Sequence, residues 1–181
     1  MASYLLATPL QMAHAAAIIA SRGKSYQPRL VTALRDPVTN ETRKLEPKLI
    51  EQVEIAQPDA WDVAIGGMVK VMNGGTASRS QAGAKYQIAG KTGTAQVFSV
   101  AQNAKYDESK IDERLRDHAW FIAFAPADAP KIAVAIMVEN GRSGSGTAAP
   151  IARRVIDTYL LGAPTPELPP PNPIAGAPVP P

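Results

Sequence analysis

Apolar positions along this chain change period several times, and each change marks an element. Residues 5–20 are mostly apolar, and Thr8-Pro9-Leu10-Gln11 supplies an N-cap, a proline at the first helical position and a capping-box glutamine, with Gly23 to close the helix. Residues 29–34 and 42–45 flank Asp36-Pro37-Val38-Thr39-Asn40, which reads as a hairpin around a proline turn. Trp61, Ile65, Met68, Val69 and Met72 recur at helical spacing, predicting a helix over 58–72 that ends at Gly74-Gly75, its Met and Trp stripe belonging to the core. A strand is predicted over 86–98. The charged stretch 101–117 keeps no apolar period and reads as a long loop with one helical turn. Residues 119–125 and 131–139 are almost continuously apolar, so they form a strand pair buried on both faces. The last helix covers 147–161, with Ile151, Val155, Ile156, Tyr159 and Leu160 facing the sheet. Strands joined as hairpins with helices before and after give an α+β fold, an antiparallel sheet packed against helices.

Composition narrows the picture. At 181 residues and 45% apolar content the chain is one domain with enough side chains for a core. From Ala163 onward it holds nine of its 17 prolines, so 1–162 is the domain and 163–181 a proline-rich, flexible tail. Net charge is only +3 and the basic residues are scattered, which excludes a nucleic-acid footprint. Cysteine is absent, and the two histidines, His14 and His118, are too separated for a metal cluster. The apolar start is not a secretory signal, because Arg22 is the first basic residue and Pro9, Gln11 and His14 interrupt the run. No segment reaches the roughly 20 apolar residues that span a bilayer, so any membrane anchor is expected outside this chain.

The densest chemistry lies in Lys91-Thr92-Gly93-Thr94-Ala95-Gln96. In an extended strand Thr92 and Thr94 present their hydroxyls on one face, and Lys91 and Gly93 face the other. A cation, two hydroxyls and a backbone position without a side chain suit the binding of a carboxylate. Gly93 and, before it, Gly90 let a ligand approach the backbone, and the β-branched threonines favour the extended state.

These residues resemble the third motif, K-T-G, of the penicillin-binding proteins and serine β-lactamases, whose partners are S-x-x-K and S-x-N. The resemblance extends further. Residues 4–13, Tyr-Leu-Leu-Ala-Thr-Pro-Leu-Gln-Met-Ala, resemble the helix entry that follows the second motif in class B transpeptidases. Residues 91–102 and 116–126, the latter reading Arg-Asp-His-Ala-Trp-Phe-Ile-Ala-Phe-Ala-Pro, resemble the branch serving cell elongation in rod-shaped Gram-negative bacteria. The chain then corresponds to the C-terminal half of a transpeptidase domain, and the half carrying the first two motifs is an expected partner. One S-x-x-K occurs, Ser21-Arg22-Gly23-Lys24, but it lies at a helix end and follows the second-motif region, so it is a decoy. No S-x-N occurs.

By this resemblance the fold is of the β-lactamase/transpeptidase kind, and the activity is D,D-transpeptidation of peptidoglycan stem peptides through a serine acyl-enzyme, inhibited by β-lactams. Lys91 and Thr94 are the expected catalytic residues, Lys91 through its charge and Thr94 through a backbone N–H in the oxyanion hole. Thr92, Gly93 and Thr94 are the expected substrate-binding residues. No metal or organic cofactor is expected. A membrane glycan polymerase of the elongation machinery is an expected partner, and the periplasmic face of the inner membrane the expected place. The alternative is a catalytically inert scaffold acting as a binding module.

Two other chemical readings fail on context. Gly144-Ser145-Gly146-Thr147-Ala148-Ala149 fits a dinucleotide fingerprint, yet no second strand ending in an acid follows, so it reads as a flexible strand-to-helix loop. Asp117 and His118 are adjacent and would point to opposite faces of a strand, which is wrong for a hydrolytic triad.

Overall fold

The computed structural model describes residues 6–57, 59–97 and 112–162. Pro58, the segment 98–111 and the proline-rich tail lie outside the described residues. α1 runs Pro9–Ala20 with Thr8 as N-cap. Thr8 Oγ1 accepts the Gln11 N–H at 3.2 Å and Gln11 Oε1 accepts the Thr8 N–H at 2.8 Å, so both halves of the expected capping box form. The chain then turns through Gly23 at φ 99°. A side chain there would strike the Val53 carbonyl at 2.6 Å, so this glycine is needed for close approach as well as for the turn.

β1 (Lys24–Tyr26) pairs antiparallel with β4 (Leu49–Gln52), and between them β2 (Ala33–Arg35) and β3 (Thr42–Lys44) form the expected hairpin. At its turn the Asp36 carboxylate accepts the N–H groups of Val38 and Thr39. Those backbone bonds, Thr39's first and then Val38's, hold its carboxyl below the usual carboxylate range.

α2 covers Ala60–Met72, followed by a one-turn α3 (Ser78–Gln81). The main sheet is β5 (Ala89–Ala95), β6 (His118–Ala125) and β7 (Ile132–Val138), all antiparallel, with β6 in the middle. α4 (Ala149–Leu161) closes the chain and ends at the left-handed Gly162.

Alternation along β6 divides the core into two layers. Ala119, Phe121, Ala123 and Ala125 face α4 together with Val134, Ala152 and Ile156. Ile122 and Phe124 face the opposite way, toward Ile19 and Ala20 of α1 and Ile65, Met68 and Val69 of α2. Helices therefore cover the sheet on both sides, as its uninterrupted apolar strands require.

α4 corrects the expected packing. Ile151 and Val155 are 41% exposed and Tyr159 64%, whereas Ala149, Ala152, Arg153, Ile156 and Asp157 are buried. Ile156 and Leu160 do pack on the core as expected, but the rest of the buried face is made of Ala149 and Ala152, which bring the helix close to the sheet, and of Arg153 and Asp157, which reach the segment before β5. It also begins later than expected. Gly144–Ala148 forms a π-helical turn, in which Gly146 N–H donates to Ser143 Oγ at 3.0 Å and Thr147 Oγ1 donates to the Gly141 carbonyl at 2.8 Å. This segment is an ordered turn, and the expectation of a flexible loop is corrected.

Candidate active site

Among the described residues β5 is the outer strand of its sheet, and the sequence leading into it is bracketed from two sides. Gln81 donates from Nε2 to the Tyr86 carbonyl at 2.8 Å and accepts the Ile88 N–H on Oε1 at 2.9 Å. From α4, Arg153 donates to the carbonyls of Ser80 at 2.9 Å and Ala82 at 3.0 Å and pairs with Asp157 at 2.7 Å. The Tyr86 hydroxyl donates to the other Asp157 oxygen. Arg153 is 3% exposed and Asp157 1%, so this is a buried ion pair with its hydrogen-bonding capacity used by main chain and a phenol. Burial, followed by the bond to Asp157 and its charge, pushes the Tyr86 hydroxyl well above its ordinary pKa.

Within β5 the glycines serve different ends. A Cβ on Gly90 would press on the Phe121 ring, 3.1 Å from Cε2 and nearer still to Cζ, and would lie 3.2 Å from Met72 Sδ. Gly90 is buried and makes room for the core. The expectation that it opens the backbone to a ligand is corrected. Gly93 pairs with Trp120, and a Cβ there would meet only Trp120 Cβ at 3.3 Å.

Register places Lys91 opposite Ile122 and Gly93 opposite Trp120, on the face shared with α1 and α2. Thr92 lies opposite Phe121 and Thr94 opposite Ala119, on the α4 face. The alternation expected for the four residues is therefore present. Lys91 and Thr94 are exposed and Thr92 and Gly93 half-buried. Lys91 Nζ donates to the Thr92 carbonyl at 2.6 Å. Thr92 Oγ1 sits 3.2 Å from Thr76 Oγ1, a hydroxyl brought in by the turn after α2. Thr76 carries no local signal in the sequence. On the α4 face of the strand, Gly144 of the π-helical turn lies against Gly93: a Cβ on it would be 2.6 Å from the Gly93 carbonyl oxygen and 3.1 Å from its nitrogen.

The remaining sequence candidates stand elsewhere. Ser21 caps α1, its hydroxyl 2.8 Å from the carbonyls of both Ala17 and Lys24, so its contact with Lys24 is through main chain. His118 Nδ1 accepts the Asn140 N–H at 2.9 Å, which puts the ring proton on Nε2. That bond occupies the nitrogen a triad aspartate would need. His14 Nε2 lies 3.3 Å from Ser25 Oγ. No helix among the described residues is long and apolar enough to cross a membrane.

The penicillin binding protein transpeptidase domain family matches residues 2–157. The peptidoglycan D,D-transpeptidase MrdA of Haemophilus influenzae is 43% identical over 159 residues, 87% of this chain and 24% of that protein. Pseudomonas aeruginosa PBP2, solved in complex with WCK 5153, superposes with a TM-score of 0.68 at 39% identity, over 88% of this chain and 31% of that one. Penicillin-binding protein A of Mycobacterium tuberculosis, solved as a penicillin G acyl-enzyme complex, gives 0.65 at 34% identity, over 87% and 33%. The chain spans about a quarter to a third of the length of these relatives. Its helices around an antiparallel sheet are the β-lactamase-like fold of these neighbours. The match runs through sequence and backbone alike, and the chain belongs to the penicillin-binding protein transpeptidase domain family, with MrdA and penicillin-binding protein 2 among its relatives.

Proposed function

We propose that this chain supplies the K-T-G wall of the active site of a peptidoglycan D,D-transpeptidase. The observation that carries the reading is the open outer strand β5, which presents a cation, two hydroxyls and a glycine in succession, backed by a third hydroxyl from Thr76. In the reaction a serine hydroxyl from the remainder of the protein attacks the penultimate D-Ala carbonyl of a stem peptide. Its proton passes to the departing terminal D-Ala amine, leaving an acyl ester on the serine. An amine of a second stem peptide then displaces the serine and forms the cross-link. A β-lactam follows the first half of this course, and its ring opens in place of the departing amine.

Each role has a physical basis. Lys91 places positive charge beside the carboxylate of the terminal D-Ala or of the drug, and Thr92 and Thr94 offer it hydroxyl donors. Along an outer strand, successive residues turn their N–H and C=O alternately to the neighbour and to the open side. The Thr92 carbonyl is reached by the exposed Lys91 ammonium, which supports residues 92 and 94 as the outward set. The Thr94 N–H is then available to the oxyanion, and Gly93 leaves room for the acyl group. The resemblance to elongation enzymes further supports the periplasmic face of the inner membrane as the site of action, with a membrane glycan polymerase as partner.

The test is the second-order acylation rate of the full-length protein with one β-lactam. Removing a charged hydrogen-bond partner in a partly desolvated cleft costs on the order of 3 kcal/mol, so Lys91→Ala is expected to acylate about a hundredfold more slowly, and Lys91→Arg to lose less. If a folded Lys91→Ala acylates at the parent's rate, the strand is structural and the reading fails.

A further inference from the structure

We infer that Gly144 is a positioning residue for the oxyanion hole, acting through the backbone of Gly93. The inference rests on the proposed role of the Thr94 N–H and adds a residue outside the K-T-G motif to the machinery that places it. Gly144 is buried in the first position of the π-helical turn, against the main chain of both β5 and β6. A Cβ there would lie 2.6 Å from Gly93 O and 3.1 Å from Gly93 N, and would also strike the Trp120 carbonyl oxygen. These are backbone atoms, which cannot rotate away as a side chain can. The turn meets the peptide preceding Thr94 through the bare α-carbon of a glycine.

Any addition at Gly144 must therefore move something, and the structure indicates what moves. The turn is tied by Thr147 to the Gly141 carbonyl and by Ser143 to Gly146 N–H. It continues into Ala148 and Ala149, both fully buried. Among the described residues β6 is held by a strand on each side, and β5 by a strand on one side only. The weakest of the three is β5. Displacement then falls on Gly93 and carries the following N–H with it, so the turn fixes the position of the oxyanion donor from the α4 face. Gly146, two positions on, is the natural control: a Cβ there would meet only the Ser143 side chain, at 3.2 and 3.3 Å.

The experiment uses full-length protein and benzylpenicillin. It separates the dissociation constant of the initial complex from the acylation rate constant, and records the carbonyl stretching frequency of the acyl ester. Removing an oxyanion donor outright costs about a hundred- to a thousandfold, and a displaced donor is expected to cost about tenfold or more in the acylation rate constant. Gly144→Ala is expected to show that loss with the dissociation constant unchanged and the carbonyl stretch moved to higher frequency, since weaker hydrogen bonds polarise the ester less. Gly146→Ala is expected to match the parent in all three. Thr147→Val keeps its shape but releases the turn from Gly141, and serves where Gly144→Ala does not fold. It is expected to move rate and frequency in the same directions, by less. A folded Gly144→Ala with the parent's rate and frequency overturns the inference, as does a Gly146→Ala equal to it, or, where Gly144→Ala does not fold, a Thr147→Val indistinguishable from the parent. A parent acyl ester that absorbs like one in bulk water instead overturns the Thr94 reading itself, and this inference with it.

Discussion

Gly90→Ala puts one methyl group against two buried side chains of the core. The added carbon would fall 3.1 Å from Phe121 Cε2, closer to Cζ, and 3.2 Å from Met72 Sδ. Phe121 and Met72 are each 1% exposed, so neither has solvent into which to retreat. Overpacking of this kind costs about 1 to 3 kcal/mol. Restricting the unfolded chain returns about 0.4 to 1 kcal/mol. Contact this close belongs in the upper half of the overpacking range, so the net loss is about 1 to 2.6 kcal/mol, which for a chain of this size lowers the unfolding midpoint by about 3 to 8 °C. Phe121→Leu is the informative partner, because it removes ring atoms from the place the methyl would occupy. Alone it creates a void and destabilises. Combined with Gly90→Ala it is expected to cost less than the sum of the two by about 1 kcal/mol. The assay is thermal or denaturant unfolding of the four members of the cycle. If Gly90→Ala leaves the midpoint unchanged or raises it, or if the two substitutions simply add, the ring does not rest against the glycine and the packing argument is wrong.

Two more outcomes are expected from the buried ion pair. Asp157→Ala leaves the Arg153 guanidinium buried without its counter-ion, a loss of about 3 to 5 kcal/mol, seen as a midpoint lower by about 10 °C or more; the double variant Arg153→Met/Asp157→Leu should recover much of it. The Tyr86 hydroxyl holds its proton more tightly when folded than when unfolded, so its contribution is complete below the ordinary tyrosine pKa of about 10 and is lost as pH rises above it. Unfolding midpoints measured from pH 8 to 11 should fall on the alkaline side, and Tyr86→Phe should flatten that fall.

What could be read from the sequence was whatever is written locally. The capping of α1 is a four-residue signal and forms as expected. The β2–β3 hairpin carries its own turn residues, and β6 and β7 announce themselves by length and apolarity. The face of α4 was legible in part: Ile156 and Leu160 pack as their spacing implies, but Ile151, Val155 and Tyr159 are exposed, because close approach of alanines and the pairing of Arg153 with Asp157 help decide which side is buried. β1 and β4 are too short to leave a pattern and exist because they pair with each other. The candidate site divides in the same way. Lys91 to Thr94 are contiguous and therefore legible, whereas Thr76 and Gly144 reach the strand only through tertiary folding. The π-helical turn hid behind glycines that suggest looseness, though one of them is there for want of space.

The link between Tyr86 and α4 bears on how a gene of this kind can be recombined. The residues that hold one another lie on two sides of the K-T-G strand in the sequence: Tyr86 before it, Arg153 and Asp157 after it. The carbonyls of Ser80 and Ala82 can be supplied by any residue, but the phenol cannot. A crossover between codons 87 and 152 that joins this C-terminal part to a relative lacking tyrosine at position 86 would leave one oxygen of Asp157 buried without its donor, at a cost of about 1 to 3 kcal/mol. Exchange that carries the whole stretch from Ser80 to Asp157 as one block avoids that loss, and mosaic genes that keep their stability are expected to have their junctions outside it.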